Sequence, residues 1–222
     1  MNDANPELYR RSMHEEFVNA VTHALGLALS LAAAAWLMTA AVAGGEPWRV
    51  AGCAIYAASM VAVYAASTLS HAVRTVHLRR RLRILDQALI YLMIAGTYTP
   101  FGFTYLRGGY WWVLTAAMWL VAWAGVVSKT WFGYRVEAAT AWSYVLLGWL
   151  PIMAVKPLLE SVPTEALRWM LAGGLCYTFG TVFLSHDTRV KYFHAIWHLL
   201  VIAGSTCHLL AIYWYVARQT AG

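Results

Sequence analysis

Seven apolar stretches, each near the roughly 20 residues needed to cross a bilayer, constrain this chain more than any other feature. They run at about residues 19–43, 50–73, 84–106, 110–128, 136–155, 166–185 and 194–216. Inside hydrocarbon every backbone N–H and C=O must be satisfied by the protein itself, and a helix does this within one segment. The pattern predicts an all-α fold, a seven-transmembrane helix bundle. Composition agrees, with 61% of the 222 residues hydrophobic and 12% charged. A soluble domain carries roughly twice that charged share, so a soluble enzyme is excluded. Gly44-Gly45-Glu46-Pro47 breaks the first stretch from the second, and Arg74 to Arg83 separates the second from the third. Arg107-Gly108-Gly109 reads as a tight turn before the fourth. Lys156-Pro157 and Val162-Pro163 bracket the loop after the fifth, and His186 to Lys191 precede the seventh. So little chain is left over that residues 1–222 read as a single polytopic membrane domain with short loops. Asp3, Glu7, Glu15 and Glu16 make the first residues unlike a cleavable signal peptide.

The net charge of +6 does not point to nucleic acid, because the basic residues cluster between the apolar stretches as the positive-inside rule expects. A cytoplasmic N-terminus puts Arg10, Arg11, Arg74, Arg79, Arg80, Arg81, Arg83, Lys129, Arg135, Arg189 and Lys191 on the inner side. Arg49, Arg107, Lys156, Arg168 and Arg218 fall on the outer side. Seven crossings then put the C-terminus outside. Trp48, Trp111, Trp112, Trp131 and Trp214 lie near the ends of stretches, as interfacial aromatics do. Cys53, Cys176 and Cys207 fall in three separate apolar runs and read as small buried hydrophobes, with no disulfide framework.

On that topology the ionisable side chains gather in one thin layer. His71 is three residues before Arg74, Asp86 three after Arg83, and His194 three after Lys191, with His198 one turn deeper. At 1.5 Å per residue all four lie within roughly 5–10 Å of the cytoplasmic boundary. His194 and His198 are four apart, so they share a helix face and suit a common metal ion. Ionisable groups inside a membrane helix cost at least a few kcal/mol and mark function. Three neutral imidazoles, His71, His194 and His198, plus a water make a tetrahedral zinc site with an open position. A zinc ion brings the pKa of such a water to about 7. Asp86 is the carboxylate at that depth able to take or orient its proton, and Ser67, four before His71, shares the face of His71 and can bond the water or a substrate oxygen.

Each residue also has a plainer reading. A His pair at this spacing can serve helix–helix hydrogen bonding, and Asp86 can pair with Arg83 or cap its helix. Ser67 can be a small packing residue beside Ala65, Ala66 and Ser70. Glu16, Asn19 and His23 form a stripe on the first stretch that lines the same cavity or bonds to the seventh helix. His208, ten residues beyond His198 and about 15 Å further out, is too distant for the same ion and is expected to bond across helices. His14, His77 and His186 are expected to be solvated.

Four blocks carry a family resemblance. They are Glu16-Phe17-Val18-Asn19-Ala20-Val21-Thr22-His23; Ser67-Thr68-Leu69-Ser70-His71; Leu85-Asp86-Gln87-Ala88-Leu89-Ile90-Tyr91 with Ala95-Gly96-Thr97-Tyr98-Thr99-Pro100; and His194-Ala195-Ile196-Trp197-His198. In this order, over essentially the whole chain, they resemble the haemolysin III branch of the progestin and adipoQ receptor family. The resemblance implies a seven-helix bundle with a cytoplasmic N-terminus in the bacterial inner (plasma) membrane. It implies zinc on the three histidines that match the family pattern, His71, His194 and His198, with Ser67 and Asp86 matching its serine and aspartate. It also implies ceramidase-like chemistry and a link to membrane homeostasis. The long N-terminal domain of the animal receptors is missing here, so hormone reception is not implied. Gln87 stands where many relatives have His.

The leading expectation is a zinc-dependent hydrolase of a lipid amide or ester, with membrane lipids as partners and an acyl chain entering between helices. Two alternatives stay open. One is a membrane sensor or regulator with structural zinc, which a four-coordinate site closed by Asp86 would favour. The other is a haemolysin-like pore or transport protein, against which stands the gathering of polar groups at one depth.

Overall fold

The structure is a computed structural model and describes residues 13–107, 112–132 and 137–219. The expected turn at Gly108-Gly109 and the basic residues Arg10, Arg11 and Arg135 lie outside the described residues. Within them the chain is helical, with no strand.

Helix α1 (Met13–Gly44) ends where Gly45 turns the chain at φ 75°, a conformation that costs a glycine nothing. The next residues start α2 (Pro47–Ala72) at once. Pro47 occupies the first turn, where its missing N–H is no loss, and the Glu46 carboxylate accepts from the Arg49 amide at 2.8 Å. Helix α3 spans Val76–Tyr105 and α4 spans Trp112–Phe132. Helix α5 (Glu137–Trp149) passes through a 3₁₀ turn at Leu150–Ala154 into α6 (Val155–Ser161). Helix α7 covers Thr164–Ser185, and α8 (Phe193–Ile212) runs into a π-helical turn at Tyr213–Ala217.

Six spans are long and apolar enough to cross a membrane: Met13–Gly44, Pro47–Ala72, Trp112–Trp131, Ala141–Ser161, Thr164–Ser185 and Phe193–Ala217. Helix α3 is the exception among the seven expected. Its first turns carry Arg79, Arg80, Arg81, Arg83 and Asp86, and its second half reads Gly96-Thr97-Tyr98-Thr99-Pro100. That second half is buried from Ala95 through Gly102. A helix sheathed by other helices has no lipid to match, so it need not be apolar.

The expected loop from Lys156 is instead helical to Ser161. Pro151 interrupts the ladder, the usual cause of such a break, and the chain resumes as α6 with Pro157 and Leu158 buried. Lys129, expected at the cytoplasmic boundary, is buried in the last turn of α4. The helices pack in sequence from α1 through α4, α5 packs on α3 and α7, α7 packs on α8, and α8 returns to α1. The bundle thereby closes, and the first and last helices become neighbours. The three cysteines are unbridged; Cys53 is buried, and Cys176 and Cys207 are half-buried.

Candidate metal centre

His71 in the last turns of α2 and His194 and His198 at the start of α8 come together. One ring nitrogen from each lies within 4.8 Å of the other two. Ring centroids are 5.0 Å apart for His71 and His194, 5.1 Å for His71 and His198, and 4.5 Å for His194 and His198. The closure of α8 on α1 and α2 makes this possible, and spacing along the sequence could not guarantee it. Phe193 and His194 open α8 directly after Tyr192, whose φ of 65° turns the chain left-handed.

Each imidazole is oriented by a second group. His71 Nδ1 lies 2.8 Å from Glu16 Oε2, and His194 Nδ1 lies 2.6 Å from Asp187 Oδ2. An ionised carboxylate only accepts, so both Nδ1 atoms donate. His198 Nδ1 lies 3.0 Å from Thr22 Oγ1, whose own hydroxyl donates back to the Val18 and Asn19 carbonyls of its helix. With that proton on a backbone carbonyl, the Thr22 oxygen can accept from His198 Nδ1. In that arrangement each ring carries its lone pair on Nε2. Carboxylates and other acceptors behind Nδ1 are the usual device for presenting Nε2 to a metal. The donor set and its orientation fit a metal ion.

The Glu16 carboxylate also accepts from Arg83 Nη2 at 2.7 Å through its other oxygen. One buried side chain of α1 therefore ties α2 to α3. Arg83 thus pairs with Glu16 while also facing Asp86 electrostatically, and Glu16 reaches α2 and α3, while Thr22 of the first helix bonds α8.

Asp86 lines the same cavity as the three histidines. Ser70 Oγ lies 3.5 Å from Asp86 Oδ2, and Ser67 hydrogen-bonds the same carboxylate. Ser67 is buried and lines the cavity. Among the described residues the ligand cluster consists of the three histidines alone, and Asp86 stands beside it. His23 is buried with its ring centroid 3.6 Å from that of His198, and neither ring nitrogen has a hydrogen-bond partner. Asn19 is buried nearby on the same helix. His208 departs from expectation, because its Nδ1 makes no bond across helices and its ring stacks on Tyr177 at 5.5 Å. His14, His77 and His186 are exposed.

Sequence reasoning missed Thr22 and Asp187. Thr22 sits three residues after Asn19 on the polar stripe of α1, a signal hidden because threonine is unremarked in membrane helices. Asp187, seven residues before His194, reads as an ordinary loop acid until the chain between α7 and α8 folds it back.

Six membrane-length helices around a buried histidine trio define a multi-pass membrane protein with a candidate metal centre. The family model described as "Haemolysin-III related" matches residues 11–209. The chain is 38% identical over 202 residues to Hemolysin-3 of Bacillus cereus, covering 91% of this chain and 92% of that protein. It is 34% identical over 207 residues to the Hemolysin-3 homolog of Bacillus subtilis strain 168, covering 93% and 97%. With the human monocyte to macrophage differentiation factor it shares 26% identity over 216 residues, covering 95% and 88%. The chain belongs to the haemolysin III-related family, the branch of the progestin and adipoQ receptor proteins that its sequence resembles. No solved structure matches it.

Proposed function

We propose that this protein is a zinc-dependent membrane hydrolase of a lipid amide or ester bond, acting in membrane lipid homeostasis. One observation carries the reading: the histidine cluster and Asp86 open into a cavity of about 1210 Å³ whose wall continues through Met93, Ile94, Val145, Ile152, Leu167 and Met170. A polar reactive end joined to a long apolar chamber suits a lipid whose scissile bond meets the histidines while its acyl chain lies in the chamber. A bound zinc ion would supply Lewis acidity toward the lipid carbonyl and a water. His71, His194 and His198 would hold it through Nε2. Asp86 would take and return a proton at its carboxylate, which Ser67 and Ser70 hold in position. Three protein ligands would leave such an ion able to take a water, as catalytic sites require.

In the same reading α3 is the seventh crossing, the N-terminus is cytoplasmic, the C-terminus is outside, and the protein resides in the bacterial plasma membrane. The test uses purified protein loaded with zinc or stripped of it. Each form is incubated with a panel of N-acyl and O-acyl lipids, and released fatty acid is read by mass spectrometry. Zinc-dependent release from at least one lipid class is expected. No release from any lipid by the zinc-loaded protein would overturn the proposal.

A further inference from the structure

The cavity has a second polar level. Tyr98 lies twelve residues beyond Asp86 on α3, and His208 ten beyond His198 on α8, so both sit about 15–18 Å from the histidine cluster along the bundle. Both line the cavity. They are only 3% and 8% exposed, and Tyr98 Oη and His208 Nδ1 have no hydrogen-bond partner. Several other polar groups around the cavity are bonded. Thr97 Oγ1 donates to the Met93 carbonyl at 2.7 Å, Trp149 Nε1 donates to Thr178 Oγ1 at 3.0 Å, and the Tyr64 and Tyr177 hydroxyls meet Ser205 Oγ at 2.9 and 3.0 Å. The His208 ring is also held in place. It stacks on Tyr177, and Gly173 makes room for it, since a Cβ there would stand 2.6 Å from the ring. Polar groups buried without partners are costly and rare, and these two share one depth of one chamber.

We infer that this level is a second subsite, which takes a hydroxyl group carried partway along the acyl chain of the ligand. The inference rests on the acyl-chain reading given above and adds a substrate class to it: lipids with hydroxylated acyl chains. A hydroxyl both donates and accepts, as do a phenol and a neutral imidazole, so it can complete either group. A bare methylene leaves both unpartnered, and a charged group at this depth is far more costly.

Zinc-loaded protein in detergent is titrated with octadecanoic acid and with a series of hydroxyoctadecanoic acids whose hydroxyl moves along the chain. Binding is read by displacement of a fluorescent fatty acid. A mid-chain hydroxyl should tighten binding roughly 5- to 10-fold, the scale of a newly satisfied buried hydrogen bond. Tyr98→Phe and His208→Leu should each remove most of that preference, read as the ratio of hydroxy-acid to octadecanoic acid affinity within the same variant. Tyr98→Phe keeps the shape of the side chain and so decides the matter if His208→Leu does not fold. Equal binding of all the acids by the unaltered protein would overturn the subsite while leaving the acyl-chain reading intact, as would a preference that survives both variants. Failure of octadecanoic acid itself to bind would overturn both.

Discussion

At the residue scale, the convergence of one ring nitrogen from each of His71, His194 and His198 decides what the cluster can bind. Alanine at any one of the three is expected to remove most zinc from purified protein, measured by elemental analysis. The groups behind the rings should matter nearly as much. Glu16→Gln keeps the shape of the side chain but loses the charge that faces both His71 and Arg83. It should weaken zinc binding by roughly 10- to 100-fold, the range for such supporting carboxylates, and competition against a chelator would read it. Asp86→Asn separates a proton-transfer role from a structural one. The variant should fold and keep zinc, yet lose lipid hydrolysis by about 10²-fold or more; an active variant would remove Asp86 from the chemistry. The three histidines, Ser67 and Asp86 were legible because charged and polar side chains stand out in apolar sequence. Their partners were less so. Asp187 and Thr22 become visible only when α7, α8 and α1 meet, since nothing local distinguishes a loop acid that points inward from one that points to water.

At the scale of elements, aromatic rings seated on glycines bring the helices close. A Cβ on Gly26 of α1 would stand 2.6 Å from the Tyr64 ring of α2 and 3.3 Å from Ile202 of α8. Tyr64 has little freedom to retreat, because its hydroxyl is tied to Ser205 Oγ at 2.9 Å. Gly26→Ala should therefore cost about 1–3 kcal/mol, the scale of overpacking. It should lower the melting temperature of the detergent-solubilised protein, and an unchanged value would show that this seam yields. Small residues in such seams take the part that hydrophobic burial plays in water. The apolar stretches marked these helices because their period and length are strong signals. The continuation of the fifth stretch through α6 was hidden. Lys156-Pro157 reads as the start of a loop, whereas packing of Pro157 and Leu158 into the bundle carries the helix past it. The left-handed Tyr192 before α8 was equally hidden, because a tyrosine gives no hint of a positive φ.

At the scale of the whole molecule, the proposed topology rests on the asymmetry of Lys and Arg between the two sides. A reporter fused after residue 222 should be active outside the cytoplasm, and one at the N-terminus inside it. A cytoplasmic C-terminus would remove one crossing, and α3 would be the one to question. The end of the bundle away from the histidine cluster is tied by residues 213–219, where Arg49 donates to the Gln219 carbonyl, Tyr105 to the Tyr215 carbonyl, and Trp36 stacks on Tyr213 at 3.5 Å. Closure of α8 onto α1 was beyond the sequence, because periodicity names the faces of helices and not their neighbours.

The polar character of α3 has a consequence for how the protein is made. A segment that carries four arginines, an aspartate and a Thr-rich second half gains little by leaving the translocation channel for lipid alone. Two of its charges, Arg83 and Asp86, meet Glu16 of α1 and Ser67 and Ser70 of α2. Assembly in the membrane should thus wait for companions. In an insertion assay α3 by itself is expected to pass through the bilayer largely unretained, and the same segment preceded by α1 and α2 to be held there.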